Sequence, residues 1–263
     1  MTAFRASGDP AGRSSRGLCF LNSALRYTIP NSFTAASLVL GIASITMSQA
    51  GNLELAGWMI VWCGLLDVCD GFAARLLKAT SSFGAEFDSM ADLVAFGVAP
   101  AMLVYHAGLD IAGFQYGTNG YWLLMTAVSV FVLAGAMRLA RFNLTTETPT
   151  PGWFSGVPIT AAGGGLTSTA VILLVRYPDI AASLPLTLYL PVMMFGLGIA
   201  MISRVRFPKM SLRRNKIINA FQALNALATF YLGITRSYPE FLFSLGVILL
   251  VGGIIAGRIS RIE

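Results

Sequence analysis

Between Asp67 and Asp92 the chain reads DVCDGFAARLLKATSSFGAEFDSMAD, with acids at Asp67, Asp70, Asp88 and Asp92. Five of the twelve acidic residues fall in this stretch, four of them these aspartates, and the sequence around it is apolar. An acid near the centre of a bilayer costs about 2.5–3.5 kcal/mol on the insertion scales. A group of four is therefore expected only where something positive is to be held. A set of carboxylates forms a hard oxygen site suited to Mg2+ or Mn2+ and lacks the softer ligands that Zn2+ prefers. Four negative charges are poorly neutralised by one divalent ion, so two are expected.

The spacing of the acids places them in pairs. Asp67 and Asp70 are three apart, Asp88 and Asp92 four apart, and each pair shares one face of a helix. A short turn near Thr80 to Ser82 joins the two helices, which can then pack antiparallel with their acids around one cavity. Gly71 and Gly84 have no side chain, and Ala74 has only a small one, so a ligand can approach the backbone there. Arg75 carries a planar fork that matches a phosphate. Small residues, carboxylates and one arginine together suit a diphosphate bridged by metals. A buried ion-pair network would need more cations than Arg75 and Lys78. An ion or proton pathway would leave the glycine and arginine offsets unexplained.

These helices belong to a chain of membrane type. Of 263 residues, 56% are hydrophobic and only 11% charged, against about 25% charged in soluble domains. About 20 apolar residues cross the hydrocarbon core. Eight segments qualify, roughly 32–49, 55–76, 85–107, 120–142, 158–176, 184–203, 217–235 and 240–257. The expected fold is an all-α polytopic bundle with both termini on one side. With the N-terminus inside, sixteen of the eighteen lysines and arginines fall on the cytoplasmic side, leaving only Arg176 and Arg236 opposite. That is a positive-inside pattern, and it opens the acidic cavity to the cytoplasm. The net charge of +6 is explained by topology and anionic lipid headgroups, without nucleic acid. Residues 1–15 read as a disordered tail rather than a secretory signal, and 16–27 either as an interfacial helix or as an extension of that tail. Cys63 and Cys69 read as small buried side chains, and the single His106 falls at the non-cytoplasmic end of the third span, away from the acids, and is given no role.

The pattern D-x2-D-G-x2-A-R-x8-G-x3-D-x3-D resembles the signature of the CDP-alcohol phosphotransferase family at Asp67, Asp70, Gly71, Ala74, Arg75, Gly84, Asp88 and Asp92. FGAEFDSMADLVAFGVAPA, MRLARFN, FSGVP and IPNSFTAASLVLGIASI look like the branch of bacterial integral-membrane phosphatidylserine synthases. The resemblance implies a metal-dependent enzyme of the inner membrane. It would transfer the phosphatidyl group of CDP-diacylglycerol to the hydroxyl of L-serine and release CMP. Asp67, Asp70 and Asp88 would be metal ligands, and Asp92 a ligand and the general base. Gly71, Ala74, Arg75 and Gly84 would line the CDP-diacylglycerol site, with Asn31 and Thr34 at the start of the first span touching the diphosphate. The family also implies a homodimer. The organisation expected is a tail and interfacial helix over 1–28, a six-helix catalytic core over 29–203 and two added spans over 204–263.

Serine carries a carboxylate and needs a cation. Arg138 and Arg141, three apart at the cytoplasmic end of the fourth span, are the candidates, with Asn143 nearby. The six cations between Arg204 and Lys216 are expected to grip anionic headgroups, and Gly163-Gly164-Gly165 to serve close helix packing. Other acceptors within the family are glycerol 3-phosphate, inositol phosphate and choline. An intramembrane prenyltransferase, which also binds diphosphate through paired acids, does not predict the glycine and arginine offsets.

Overall fold

A computed structural model describes residues 11–77, 81–145, 153–203, 205–208 and 216–259. Residues 1–10, Lys78, Arg204 and 209–215 lie outside the described residues, and with them most of the expected tail and of the basic segment. The described chain is helical: α1 (Ala11–Gln49), α2 (Leu53–Leu77), α3 (Ser82–Asp110), α4 (Asn119–Thr145), α5 (Thr160–Arg176), α6 (Pro178–Ser183), α7 (Leu186–Ile202), α8 (Lys216–Thr235) and α9 (Pro239–Ile259). One departure from the all-α expectation is a short antiparallel ribbon, β1 (Trp153–Ser155) against β2 (Arg206–Pro208).

Each of the eight expected segments falls on a helix. Three stretches, Thr28–Gln49, Ser82–Asp110 and Asn119–Leu144, are long and apolar enough to cross a membrane. Shorter apolar helices cover Thr160–Arg176, Leu186–Ile202, Leu224–Thr235 and Pro239–Ile255. Large apolar side chains such as Val39, Leu133, Ile199, Leu227 and Ile248 point outward, as the helices of a bundle solvated by lipid do.

The first helix departs from expectation. It runs unbroken from Ala11, so residues 11–15 are helical rather than tail, and Asn31 sits inside the helix rather than at its start. Pro30 lacks an N–H and removes one rung of the ladder. The hydroxyls of Ser32 and Thr34 donate nearby, to the Ile29 carbonyl at 2.7 Å and the Pro30 carbonyl at 3.3 Å. At the other end of α1, Gly51 takes φ +79° and Asn52 N–H donates to the Met47 carbonyl at 3.0 Å. This left-handed closure turns the chain so that α2 packs back along α1. Buried Ser44 donates to the Ala56 carbonyl at 2.8 Å across that interface.

Two π-helical stretches widen the bundle's central helices, Leu93–Val98 in α3 and Thr160–Thr167 in α5. They pack against each other through glycine. A Cβ on Gly163 would lie 2.0 Å from the Phe96 carbonyl oxygen, and one on Gly164 3.0 Å from the Phe96 ring. The expectation of close packing therefore holds for these two, while Gly165 has nothing within 4 Å of its Cβ position. At the end of the bundle far from the acids, Arg176 forms an ion pair with Glu54 at 2.8 Å and donates to the Arg236 carbonyl at 3.2 Å. Tyr177 donates to Glu240 at 2.5 Å. The two arginines expected opposite the acidic end thus share one polar cluster.

Replacing Gly163 by Ala should destabilise the detergent-solubilised protein by about 1–3 kcal/mol, the usual cost of overpacking, read as a lower thermal midpoint and folded yield. Gly165→Ala should leave both unchanged. Equal behaviour of the two variants would refute the packing account.

Candidate metal and substrate site

Asp67 and Asp70 lie near the C-terminal end of α2, and Asp88 and Asp92 in the first turns of α3. Ser81 caps α3, its hydroxyl accepting from Gly84 N–H at 3.0 Å, so the helix starts in register to present Asp88 to α2. One carboxylate oxygen each from Asp67, Asp70 and Asp88 lie within 4.8 Å of one another. The predicted pairing therefore brings three of the four acids into one cluster. Asp92 stands outside that cluster but in electrostatic reach of all three. Three hard oxygens at this separation fit a divalent cation such as Mg2+ or Mn2+.

The first helix supports the cluster directly. Thr34, 5% exposed, donates its hydroxyl to Asp70 Oδ2 at 2.9 Å, and Asp70 is 8% exposed. Thr34 thus acts on the carboxylate rather than standing at a helix start. Asn31 approaches α3, where a Cβ on Gly84 would meet Asn31 Oδ1 at 3.3 Å and Ser81 Oγ at 3.0 Å. A Cβ at Gly84 would thus crowd the Ser81 cap and the contact between α1 and α3. Farther along, a Cβ on Gly41 would sit 3.0 Å from the Ala95 Cα. Gly71, in contrast, has open space around its Cβ position. Ala74 is half-buried, and Arg75 is exposed with its Nε donating to the Gly71 carbonyl at 2.9 Å.

The two arginines proposed for the acceptor part company. Arg138 is buried at 8% exposure, its Nε has no hydrogen-bond partner, and it lies in electrostatic reach of Asp92. Arg141 donates to the Ile202 carbonyl at 2.9 Å and the Met201 carbonyl at 3.5 Å. It caps the C-terminal end of α7, where unsatisfied carbonyls and the helix dipole favour a cation. Gly156 is pressed on the same end. Its φ is +77°, and a Cβ there would lie 2.2 Å from the Met201 carbonyl oxygen. The MRLARFN and FSGVP segments thus meet at the end of α7.

Asn143 reaches back to α3. Its Nδ2 donates to Glu86 Oε2 at 3.2 Å and to Ser89 Oγ at 3.1 Å. Glu86 and Ser89 were not singled out from the sequence. The signal was present in their spacing, since Glu86, Ser89 and Asp92 follow at steps of three along one helix row.

An apolar helical bundle with a carboxylate set fit for a hard cation between two of its helices defines a membrane-embedded protein with a candidate metal site. The chain belongs to the CDP-alcohol phosphatidyltransferase family, whose model matches residues 27–202. It is 40% identical over 182 residues to the CDP-diacylglycerol–serine O-phosphatidyltransferase of Helicobacter pylori strain 26695, covering 69% of this chain and 72% of that one. The Bacillus subtilis protein of the same name is 34% identical over 181 residues, covering 68% and 89%. The archaetidylserine synthase of Methanothermobacter thermautotrophicus is 30% identical over 183 residues, covering 69% and 70%.

Mn2+ or Mg2+ should raise the thermal midpoint of the purified protein, because an ion that binds only the folded state stabilises it. Asp88→Asn should lose that rise, while raising the midpoint in chelator by removing one repelling charge. Thr34→Val should weaken Mn2+ binding roughly tenfold, as loss of a ligand's hydrogen-bond partner does. An Asp88→Asn variant that still responds to metal would overturn the assignment.

Proposed function

We propose that this chain transfers the phosphatidyl group of CDP-diacylglycerol to the hydroxyl of L-serine, giving the serine phospholipid and CMP. The observation that carries the proposal is the gathering of Asp67, Asp70 and Asp88 within 4.8 Å, in a chain of the CDP-alcohol phosphatidyltransferase family whose relatives are named for transfer to serine. The serine oxygen attacks the phosphorus that bears the diacylglycerol. A P–O bond to serine forms, the P–O bond to CMP breaks, and CMP leaves with the electron pair. Asp92 takes the hydroxyl proton, a role open to a carboxylate within hydrogen-bond reach of its substrate. Asp67, Asp70 and Asp88, together with Asp92, would hold the divalent metal, Mg2+ or Mn2+ and two ions by charge, which would supply charge neutralisation on the diphosphate.

The protein's own groups bind and orient. Gly71 and Ala74 leave the face of α2 open to the nucleotide, and Arg75 pairs with phosphate through its fork. Thr34 holds Asp70 in place, and Asn31 with Gly84 sets the distance between α1 and α3. Arg138 receives the serine carboxylate. Its burial, its unpartnered Nε and its nearness to Asp92 support it over Arg141, which is engaged at α7. The positive-inside pattern supports an inner-membrane protein of eight spans with this end and both termini facing the cytoplasm. The family match ending at residue 202 supports a catalytic core over 29–203 with two added spans over 204–263. The proposal includes a homodimer and contacts from the 204–216 segment to anionic lipids.

Purified protein given CDP-diacylglycerol should release CMP only with serine and with Mn2+ or Mg2+, and labelled glycerol 3-phosphate, inositol phosphate or choline should not replace serine. Asp92→Asn should slow release at least about a hundredfold, the lower range of general-base contributions. Arg138→Gln should raise the KM for serine far more than that for CDP-diacylglycerol. Arg141→Gln should reduce folded yield and affect both substrates alike. Serine-independent CMP release, or another acceptor used in its place, would refute the proposal.

A further inference from the structure

We propose that Glu86, Ser89 and Asn143 form the receptor for the acceptor's ammonium group, on the α3 row that leads to Asp92. The assignment rests on serine being the acceptor and deepens it by naming what recognises the nitrogen. Asp92, Ser89 and Glu86 are three residues apart in turn, so they form one ridge on α3 with neighbours about 5–6 Å apart. Asn143, on α4, closes the ridge from the side. Its amide lies 3.1 Å from Ser89 Oγ through Nδ2 and 3.2 Å through Oδ1, and Nδ2 donates to Glu86 at 3.2 Å.

The charge of Glu86 has no structural explanation within the fold. Among the described residues its only hydrogen-bond partner is the neutral Asn143 amide, and no cation pairs with it. A glutamine there would hold α4 equally well. An ammonium group offers three N–H donors and a positive charge. The cluster offers three acceptor atoms, on Glu86, Ser89 and Asn143, and one negative charge.

The dimensions agree. Two carbons separate the hydroxyl oxygen of serine from its nitrogen, less than the pitch of about 5.4 Å for one helical turn. A serine whose hydroxyl meets Asp92 therefore brings its nitrogen to the level of Ser89, where the flexible Glu86 side chain already points. The second observation is Arg138, a buried guanidinium with an unpartnered Nε in reach of Asp92. An acceptor at Asp92 thus meets a base for its hydroxyl, a cation for its carboxylate and an anion for its ammonium. A hydroxyl-bearing zwitterion satisfies all three. A phosphorylated polyol brings only anionic charge toward Glu86, and a quaternary ammonium has no N–H to donate and leaves Arg138 unpaired.

The test compares serine with 3-hydroxypropanoate, which is serine without its amino group, using the full chain, CDP-diacylglycerol and Mn2+. The unmodified protein should prefer serine. Glu86→Gln keeps an acceptor for Asn143 and sits at an exposed position, so the protein should fold. It should raise the KM for serine roughly tenfold to hundredfold, the worth of one charge-assisted hydrogen bond. The KM for CDP-diacylglycerol should stay put, and the selectivity for serine over 3-hydroxypropanoate should fall by the same factor. Glu86→Asp should recover part of that selectivity. An unchanged serine KM would overturn the assignment. So would an equal loss with both acceptors, since that marks a mere latch between α3 and α4. If the unmodified chain released no CMP with serine, the acceptor itself would be wrong, and this assignment would fall with it.

Discussion

Three carboxylates sharing a space less than 5 Å across repel one another, and the surrounding structure is arranged around that repulsion. Each ionised pair at this distance costs roughly 3–4 kcal/mol at an effective dielectric of about 20. A helical pair left to itself would splay. Here α1 opposes that tendency from behind the cluster. Thr34 donates to Asp70, while Gly41 and Gly84 allow α1 to come close to α3. The bundle thus spends its small residues where backbones must approach, and a divalent cation is the natural counter-charge for what they enclose. The same α1 runs tight against α2, so one helix positions both halves of the acidic motif.

Wide helical turns belong to the same design. The π-helical stretch Leu93–Val98 begins immediately after Asp92, and such stretches often accompany functional sites. A wide turn leaves the local backbone irregular, and in a bilayer irregular backbone is tolerated only when protein covers it. Gly163 and Gly164 provide that cover by lying against Phe96. Asp92 consequently stands at the border between a regular helical turn carrying Asp88 and a bulged turn locked into the core. It lies outside the three-carboxylate cluster and in electrostatic reach of it.

Residues that look alike in sequence divide their work. Arg138 and Arg141 are three apart, which on a helix of 3.6 residues per turn leaves them about 60° out of line. That offset is enough for one to turn inward toward Asp92 and the other to reach the carbonyls of Ile202 and Met201. The second arginine, with Gly156, closes the end of α7. A helix terminus in an apolar setting must have its carbonyls satisfied. The polar segments between spans therefore serve the scaffold as much as the chemistry.

Much of this protein was legible before any fold was in view. The spacing of Asp67, Asp70, Gly71, Ala74, Arg75, Gly84, Asp88 and Asp92 resembled the signature of the family, and helix periodicity alone put each acid pair on one face, where a hard cation was expected. Apolar run length located the helices, since the thickness of a bilayer sets it. Contacts between helices were not legible in this way. The unbroken course of α1 through Pro30, the hand of Thr34 on Asp70, the parting of Arg138 from Arg141 and the meeting of Asn143 with Glu86 and Ser89 all join residues distant in the chain or override a local stop signal. Such contacts depend on which faces pack and how closely, and that is settled by the fit of side chains from several helices at once. Local spacing determined which groups could act; only the packed bundle decided which of them meet.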